Sequence, residues 1–193
     1  MFYYFIINPS SSSGKHKTLW REIKEQLEKE EINYKIAATK KTGDAKRLAR
    51  EASLQVSETN PCTIVAIGGD GTVNEVVNGL ILSPFLSFGY IPTGSGNDLA
   101  RGLGLSKEPL EALAFILHPK EKKAVRIGKI VTKDNEEEEG EKRRFIISSG
   151  AGFDAAVCHH SIQSKIKNML NFLHFGKLTY LFTALKLLMK YPY

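Results

Sequence analysis

The sequence predicts an α/β fold whose first part is a parallel sheet covered by helices. Over residues 1–123, short apolar runs alternate with stretches in which apolar residues recur at helical spacing. A loop rich in Gly, Ser, Thr or Asn follows each apolar run, as expected where parallel strands end at one edge of a sheet. This alternation of apolar runs and helical stretches ends near residues 120–123, and we expect residues 124–193 to belong to a second domain.

Four units of strand, loop and helix make up the predicted first domain. The strands are predicted over residues 3–7, 34–38, 63–67 and 88–91. Leu19, Ile23 and Leu27 follow the first strand at helical spacing and predict a helix that reaches about Glu30. The run 63–67 is almost continuously apolar, which is typical of a central strand covered on both faces.

The second domain is predicted to open with a hairpin. Apolar strands over residues 125–131 and 144–148 flank the highly charged segment 133–142, which we expect to be a solvated tip. Beyond Asp154 the chain carries lysines and no acidic residue. For the apolar helix predicted over residues 178–189, packing against protein is favoured over attachment to an anionic membrane surface.

Composition narrows the class of protein and of partner. The 193 residues are 42% hydrophobic and 25% charged, which excludes disordered, collagen-like and disulfide-scaffold chains. A net charge of +6 favours anionic partners such as phosphates or acidic lipids, whereas no recognition motif for nucleic acid is present. Cys62 and Cys158 match no metal or redox spacing, and no signal peptide or membrane span is recognisable. We therefore expect a cytoplasmic protein.

The loop after the predicted central strand is the first candidate site. Residues 68–72 read Gly-Gly-Asp-Gly-Thr, so three glycines let the backbone approach a ligand while Asp70 is held at the edge of the sheet. A carboxylate in this position, followed by Thr72 at a helix start, suits Mg²⁺-phosphate chemistry better than a plain structural turn.

Two further loops predict contacts with phosphate. In residues 92–98, Ser95 offers a hydroxyl, and Asp98 is expected either to cap the following helix or to steer a metal-bound water. The loop at 8–15 is serine-rich and ends in Gly-Lys, but Pro9 and His16 stand where a P-loop needs Gly and Ser or Thr. A serine-rich phosphate cradle and a merely polar loop both remain open there.

Taken jointly, these motifs resemble the diacylglycerol kinase catalytic-domain family of lipid kinases, which includes bacterial diacylglycerol kinases and sphingosine kinases. Its marks are Asn-Pro at 8–9 with Gly-Lys at 14–15, Thr39 before Gly-Asp-Ala at 43–45, the 68–72 element with Asn-Glu at 74–75, and the 92–98 element with Leu-Ala-Arg at 99–101. The resemblance implies a nucleotide-binding α/β domain over residues 1–123 and an incomplete, mostly β, lipid-side domain over residues 124–193.

The same resemblance implies an ATP- and Mg²⁺-dependent transfer of phosphate to a lipid hydroxyl, most simply that of diacylglycerol, at a membrane surface. It assigns Asp70 and Asp98 to the catalytic network. The ATP-binding residues that it implies are Asn8, Pro9, Ser10, Ser11, Ser12, Thr39, Gly68, Gly69, Asp70, Gly71, Thr72, Val73, Asn74 and Ser95. The general base and the direct Mg²⁺ ligands are expected beyond residue 193, and self-association into a homo-oligomer is expected.

Two other functions compete with this hypothesis. The Gly-Gly-Asp-Gly-Thr element is shared with NAD kinases, so a phosphotransferase acting on a soluble nucleotide is one alternative. The other is a non-catalytic nucleotide-binding remnant that acts through partners.

Overall fold

The structure, a computed structural model, describes residues 1–11, 16–132, 140–150, 152–163 and 184–189. These residues group into two compact units, Met1–Ile147 and Ser148–Tyr193. The predicted site residue Ser12 and the first half of the apolar helix predicted over 178–189 lie outside the described residues. The assignment of 124–193 as a separate lipid-side domain stays a prediction.

The described elements of the first unit follow the predicted alternation, with a short 3₁₀ turn at Pro9–Ser11 after the first strand. In chain order they are β1 (Phe2–Ile7), α1 (His16–Lys29), β2 (Tyr34–Ala38), α2 (Asp44–Ser53), β3 (Cys62–Gly68), α3 (Asp70–Gly79), β4 (Leu86–Pro92), α4 (Asp98–Leu103), α5 (Pro109–Leu117), β5 (Gly128–Thr132) and β6 (Glu141–Phe145).

β1 to β4 form a parallel sheet in the order β2-β1-β3-β4. Every residue of β3 is buried, which confirms the central strand expected from its continuous apolar run. The chain crosses from β2 on one side of β1 to β3 on the other, so the strand order reverses between β1 and β3. In open parallel sheets, ligands bind outside the carboxyl ends of the strands at such a reversal.

Helices cover both faces of the sheet. On one face, α2 and α3 bury Ala49 and Val76 against Ile64 and Ala66 of β3. On the other, α1 and α5 bury Ile23, Leu27 and Leu113 with Phe5 and Val65. Because successive strand residues point to opposite faces, β3 needs apolar residues on both faces to fill both layers, and Thr63 is its one polar side chain. The predicted α/β class with a parallel sheet is confirmed.

β5 and β6 form the antiparallel hairpin predicted after the parallel sheet. The Arg144 guanidinium donates to the carbonyls of Val77 and Leu80, where α3 ends, and the Arg144 N–H donates to Asn78 Oδ1 at 2.8 Å. The charged start of β6 was expected to lie in the tip, but it pairs with β5 from Glu141. The contacts of Arg144 with α3 favour this register, and the exposed side chains of Glu141 and Lys142 remain in water.

The described part of the second unit is helical, with α6 at Phe153–Gln163 and a further turn of helix at residues 184–189. Among the residues that the structure describes, no helix has the length and apolar character needed to cross a membrane.

The crossing of α2 and α3 depends on the missing side chain of Gly79. A Cβ at this position would lie 2.1 Å from the carbonyl oxygen of Lys46 and 2.9 Å from Ala49 Cβ. We expect Gly79→Ala to lower the free energy of unfolding by about 2 kcal/mol, since the two helices must move apart. Urea unfolding followed by the fluorescence of Trp20 measures the change.

Gly102→Ala is the matched control, because a Cβ at Gly102 meets nothing within 4 Å and the residue is also helical. It should leave stability unchanged or raise it by up to about 1 kcal/mol. Equal stability of the two variants would contradict a tight crossing at Gly79.

Candidate functional site

The site lies at the carboxyl edge of the sheet, where the loops after β1, β2, β3 and β4 emerge side by side. Hydrogen bonds between backbones carry the strand register one step into these loops. Asn8 N–H donates to Ile67 O at 2.9 Å, and Thr39 N–H donates to Ile7 O at 2.8 Å. Thr93 N–H donates to Gly68 O at 2.9 Å. The first residue of each of these three loops is therefore held in place by a hydrogen bond to the neighbouring strand.

The loop after β1 is bonded to the loops after β3 and β4. Asn8 Nδ2 donates to the buried Thr72 Oγ1 at 3.1 Å, across the point where the strand order reverses. The hydroxyls of Ser11 and Thr93 lie 2.7 Å apart, and Asn8 Oδ1 accepts from Ser10 N–H at 3.0 Å. The described residues of the first loop are thus hydrogen-bonded to their neighbours at the carboxyl edge.

Glycines let the loops after β3 and β4 cross in backbone contact. A Cβ on Gly94 would lie 2.6 Å from Gly69 Cα, and a Cβ on Gly68 would lie 2.3 Å from Thr72 Oγ1. A side chain on Gly94 would push the two loops apart, and one on Gly68 would displace Thr72 in the turn that follows β3. A Cβ on Gly71, in contrast, meets nothing within 4 Å, so this glycine borders open space at the first turn of α3.

Asp70 joins the two crossing loops. Its Oδ1 accepts a hydrogen bond from Asp98 N–H at 2.7 Å, and Leu99 N–H lies 3.5 Å from the same oxygen. Asp70 therefore caps α4 from another loop, where its negative charge faces the unpaired N–H groups of the helix start. Of the two alternatives for Asp98, capping of this helix is excluded, because Asp98 is the first helical residue and Asn97 occupies the cap position without a side-chain cap bond.

Asp98 contributes a second carboxylate beside Asp70. Its Oδ1 forms an ion pair with Arg101 at 2.6 Å. A Cβ on Gly96 would lie 2.8 Å from Asp70 Oδ2 and 3.9 Å from Asp98 Oδ1, so oxygens of both residues face the same small space. The described residues contain no cluster of three or more His, Cys, Asp or Glu side chains that could hold a metal. Two carboxylates fit an ion such as Mg²⁺, which is usually held by one or two protein carboxylates together with phosphates and water.

Tyr90 and Asn97 are site residues that the sequence did not assign. The Tyr90 hydroxyl donates to Asn97 Oδ1 at 3.0 Å from beneath the loop, and Asn97 adopts a left-handed backbone with φ of 52°. Burial raises the pKa of Tyr90, and the negative charges of Asp70 and Asp98 raise it further. Asn97 was visible within a predicted loop, but Tyr90 is part of an apolar strand and nothing local marks its hydroxyl.

The remaining predicted residues lie at the same edge in different settings. Asn74 and Ser95 are exposed, and Thr39 is half-buried at the end of β2. Val73 is fully buried in the core, and its N–H donates to Gly69 O at 3.1 Å. Both its side chain and its N–H are therefore engaged within the protein.

The loop between β2 and α2 is closed by a buried carboxylate. Asp44 Oδ2 accepts from Lys40 N–H at 2.8 Å and from Lys41 N–H at 3.0 Å, while Gly43 takes the positive φ of 88° that the turn requires. These two backbone donors lower the pKa of Asp44, and Arg47 lowers it further.

The lowered pKa of Asp44 predicts an acid-sensitive contribution to stability. Because the folded state holds the carboxylate form, this contribution is complete above the unfolded pKa of about 3.9 and is lost as the pH falls through the lower folded value. Asp44→Asn should therefore be less stable than the unchanged chain at pH 7, with the difference shrinking below about pH 4. Urea titrations at pH 7, 4 and 3 measure it, and a difference that does not change with pH would contradict the prediction.

Known proteins match this chain over the same elements. A family model described as the diacylglycerol kinase catalytic domain matches residues 3–130. The diacylglycerol kinase of Bacillus subtilis (strain 168) is 30% identical over 184 residues, which cover 95% of this chain and 54% of that protein. The diacylglycerol kinase of Staphylococcus saprophyticus is 32% identical over 166 residues, which cover 86% of this chain and 49% of that protein. The chain spans about half the length of these curated relatives.

A solved structure shows the same architecture. The crystal structure of a diacylglycerol kinase from Bacillus anthracis superposes with a TM-score of 0.52 at 30% identity, over 67% of this chain and 45% of that one. The match to the family model covers more than half of this chain and includes all four site loops. The family predicted from the loop motifs is confirmed, and the chain belongs to the diacylglycerol kinase catalytic-domain family.

Proposed function

We propose that the first unit binds ATP at the carboxyl edge of its parallel sheet, and that the protein transfers the γ-phosphoryl group to a lipid hydroxyl. Diacylglycerol is the proposed acceptor, because these relatives are named diacylglycerol kinases. One structural observation carries the proposal most directly. Asp70 and Asp98 direct oxygens into one space beside Gly96, among loops made of glycines, hydroxyls and amides.

Binding of the nucleotide phosphates is supported by the exposed groups of these loops. Gly71, Asn74 and Ser95 face solvent at the edge, and Ser10 is exposed after β1. Backbone N–H groups and short polar side chains are good donors to phosphate oxygens, and glycines let the phosphates come close to the backbone. The net charge of +6 adds a long-range attraction for an anionic nucleotide.

Of the described residues, Asp70 and Asp98 would contribute carboxylates to a Mg²⁺ site, together with the direct ligands that the family resemblance implies elsewhere. When bound, the ion supplies neutralisation of the charge on the phosphate oxygens. Asp70 already presents one oxygen to α4, and its Oδ2 accepts no hydrogen bond from the residues that the structure describes. Arg101 holds the Asp98 carboxylate by its ion pair. Asp70 Oδ2 is thus available to a cation, whereas Asp98 Oδ1 would first have to leave its ion pair with Arg101.

Phosphoryl transfer requires mainly that the reactants be positioned and their charge be neutralised, and the edge supplies residues suited to both tasks. The lipid hydroxyl must lose its proton during the reaction. By the family resemblance, a residue of the lipid-side domain would accept this proton. The lipid-side part of the site therefore stays a prediction.

The first test is binding of MgATP to the chain by isothermal titration calorimetry, with and without Mg²⁺. Asp70→Asn keeps an oxygen for Asp98 N–H but removes the charge, so we expect MgATP affinity to fall at least about tenfold, or about 1.4 kcal/mol. Glu58→Gln removes the same charge from an exposed turn before β3, at the opposite edge of the sheet, and should bind as the unchanged chain does. Equal binding by both variants would contradict a role of Asp70.

The second test is transfer of labelled γ-phosphate from ATP to a total membrane lipid extract, with the products identified by mass spectrometry. In a chain extended to the length of the relatives we expect a labelled lipid phosphate, reduced at least about 100-fold in Asp70→Asn. Labelling of added NAD without any labelled lipid would replace the lipid acceptor by a soluble nucleotide. Binding of MgATP with no transfer to any acceptor, even in a chain extended to the length of the relatives, would contradict the proposed reaction.

A further inference from the structure

Tyr90 is a polar residue beneath the candidate site, and the proposed binding of ATP assigns no role to its hydroxyl. It lies on β4 two residues before the strand ends, and its side chain is only 4% exposed. The ring packs in the core layer that contains Tyr4, Val73 and Leu99. A phenylalanine would fill this layer equally well, so packing alone does not explain the hydroxyl.

The hydroxyl bonds to the side chain that shapes the loop after β4. Asn97 Oδ1 accepts from Tyr90 at 3.0 Å and from Gly94 N–H at 3.0 Å, while Asn97 Nδ2 donates to Gly94 O at 2.7 Å. The bonds between Asn97 and Gly94 close the loop upon itself. The bond from Tyr90 is different, because it ties the closed loop to the sheet below.

The position of this loop decides two contacts of the candidate site. Gly94 packs against the backbone of Gly69, and Asp98 N–H donates to Asp70 Oδ1 at 2.7 Å. Ser95, Gly96 and Asp98 are carried by the same short segment. A displacement of the loop by a few tenths of an ångström would therefore change how Asp98 and Ser95 stand relative to Asp70.

We propose that Tyr90 is a positioning residue of the nucleotide site. Through its hydrogen bond to Asn97, it holds the loop of residues 94–98 in the position in which Asp70 and Asp98 face one space. The inference rests on the proposed function, because the ligand it serves is MgATP. Tyr90 itself is covered by the loop and would not contact the nucleotide. Its effect is on how well the loop is placed before the nucleotide arrives.

The electrostatic setting of Tyr90 suits this role. Burial and the nearby charges of Asp70 and Asp98 all disfavour the phenolate and so raise the pKa of the hydroxyl. The group therefore keeps its proton throughout the pH range in which the protein would work, and it remains a hydrogen-bond donor to Asn97.

The test compares Tyr90→Phe with Tyr4→Phe in the full chain. Tyr4 belongs to the same core layer, is 8% exposed and lies on β1 away from the carboxyl edge, so it controls for loss of a buried hydroxyl. MgATP affinity is measured by calorimetry, global stability by thermal unfolding, and loop order by amide hydrogen exchange at residues 94–99. We expect Tyr90→Phe to weaken MgATP binding about fivefold and to speed exchange of the Asp98 amide, with Tyr4→Phe changing neither.

A second comparison shows whether the effect passes through Asn97. Asn97→Ala alone should weaken binding, and Tyr90→Phe added to it should have no further effect, since the bond it removes no longer exists. Independent effects of the two substitutions would overturn the proposed route.

The outcomes separate this inference from the proposed function. If the unchanged chain binds MgATP and Tyr90→Phe binds it as Tyr4→Phe does, the inference is wrong and ATP binding stands, even if the variant has lost stability. If the unchanged chain binds no MgATP, the proposed function fails first and the nucleotide role of Tyr90 fails with it.

Discussion

Complete burial of β3 is the constraint on which the rest of the first unit depends. All seven residues of this strand are buried, so both of its faces must be covered by helices and both of its edges by strands. β1 and β4 occupy the edges, while α2 and α3 cover one face and α1 and α5 the other. The chain leaves β3 at the carboxyl edge of the sheet, where the next residues meet the loops that follow β1 and β4.

The turn that follows β3 has to pass under the loop after β4 with no room for side chains. Gly69 and Gly94 meet this requirement because their backbones come into direct contact with each other, while Gly68 makes room for the side chain of Thr72. Close approach of two backbones brings their polar groups together as well. Asp70 satisfies the free N–H groups at the start of α4, and the carboxylate is in turn held in one orientation. The same packing thus builds a stable crossing and a fixed negative charge at the edge.

This arrangement connects the fold with the chemistry expected of the family. A carboxylate held in place beside glycine loops, as Asp70 is, suits a cation and the phosphates that accompany it. The hairpin of β5 and β6 is bonded to the far end of α3 through Arg144 and Asn78. One helix therefore carries a site loop at its start and the hairpin at its end, which places the hairpin in a defined register within the first unit.

The sequence by itself determined the alternating strands and helices of the parallel sheet, the edge at which the glycine loops gather, and the family, because these follow from periodicity and short motifs. The start of β6 at Glu141 was not visible in this way, since its register depends on contacts of Arg144 with α3. Only the tertiary structure decided that Asp70, rather than Asp98, caps α4 and that the Tyr90 hydroxyl supports Asn97. The physical reason is distance along the chain. Asp70 and Asp98 are 28 residues apart, and their contact depends on where two strands end and how their loops cross.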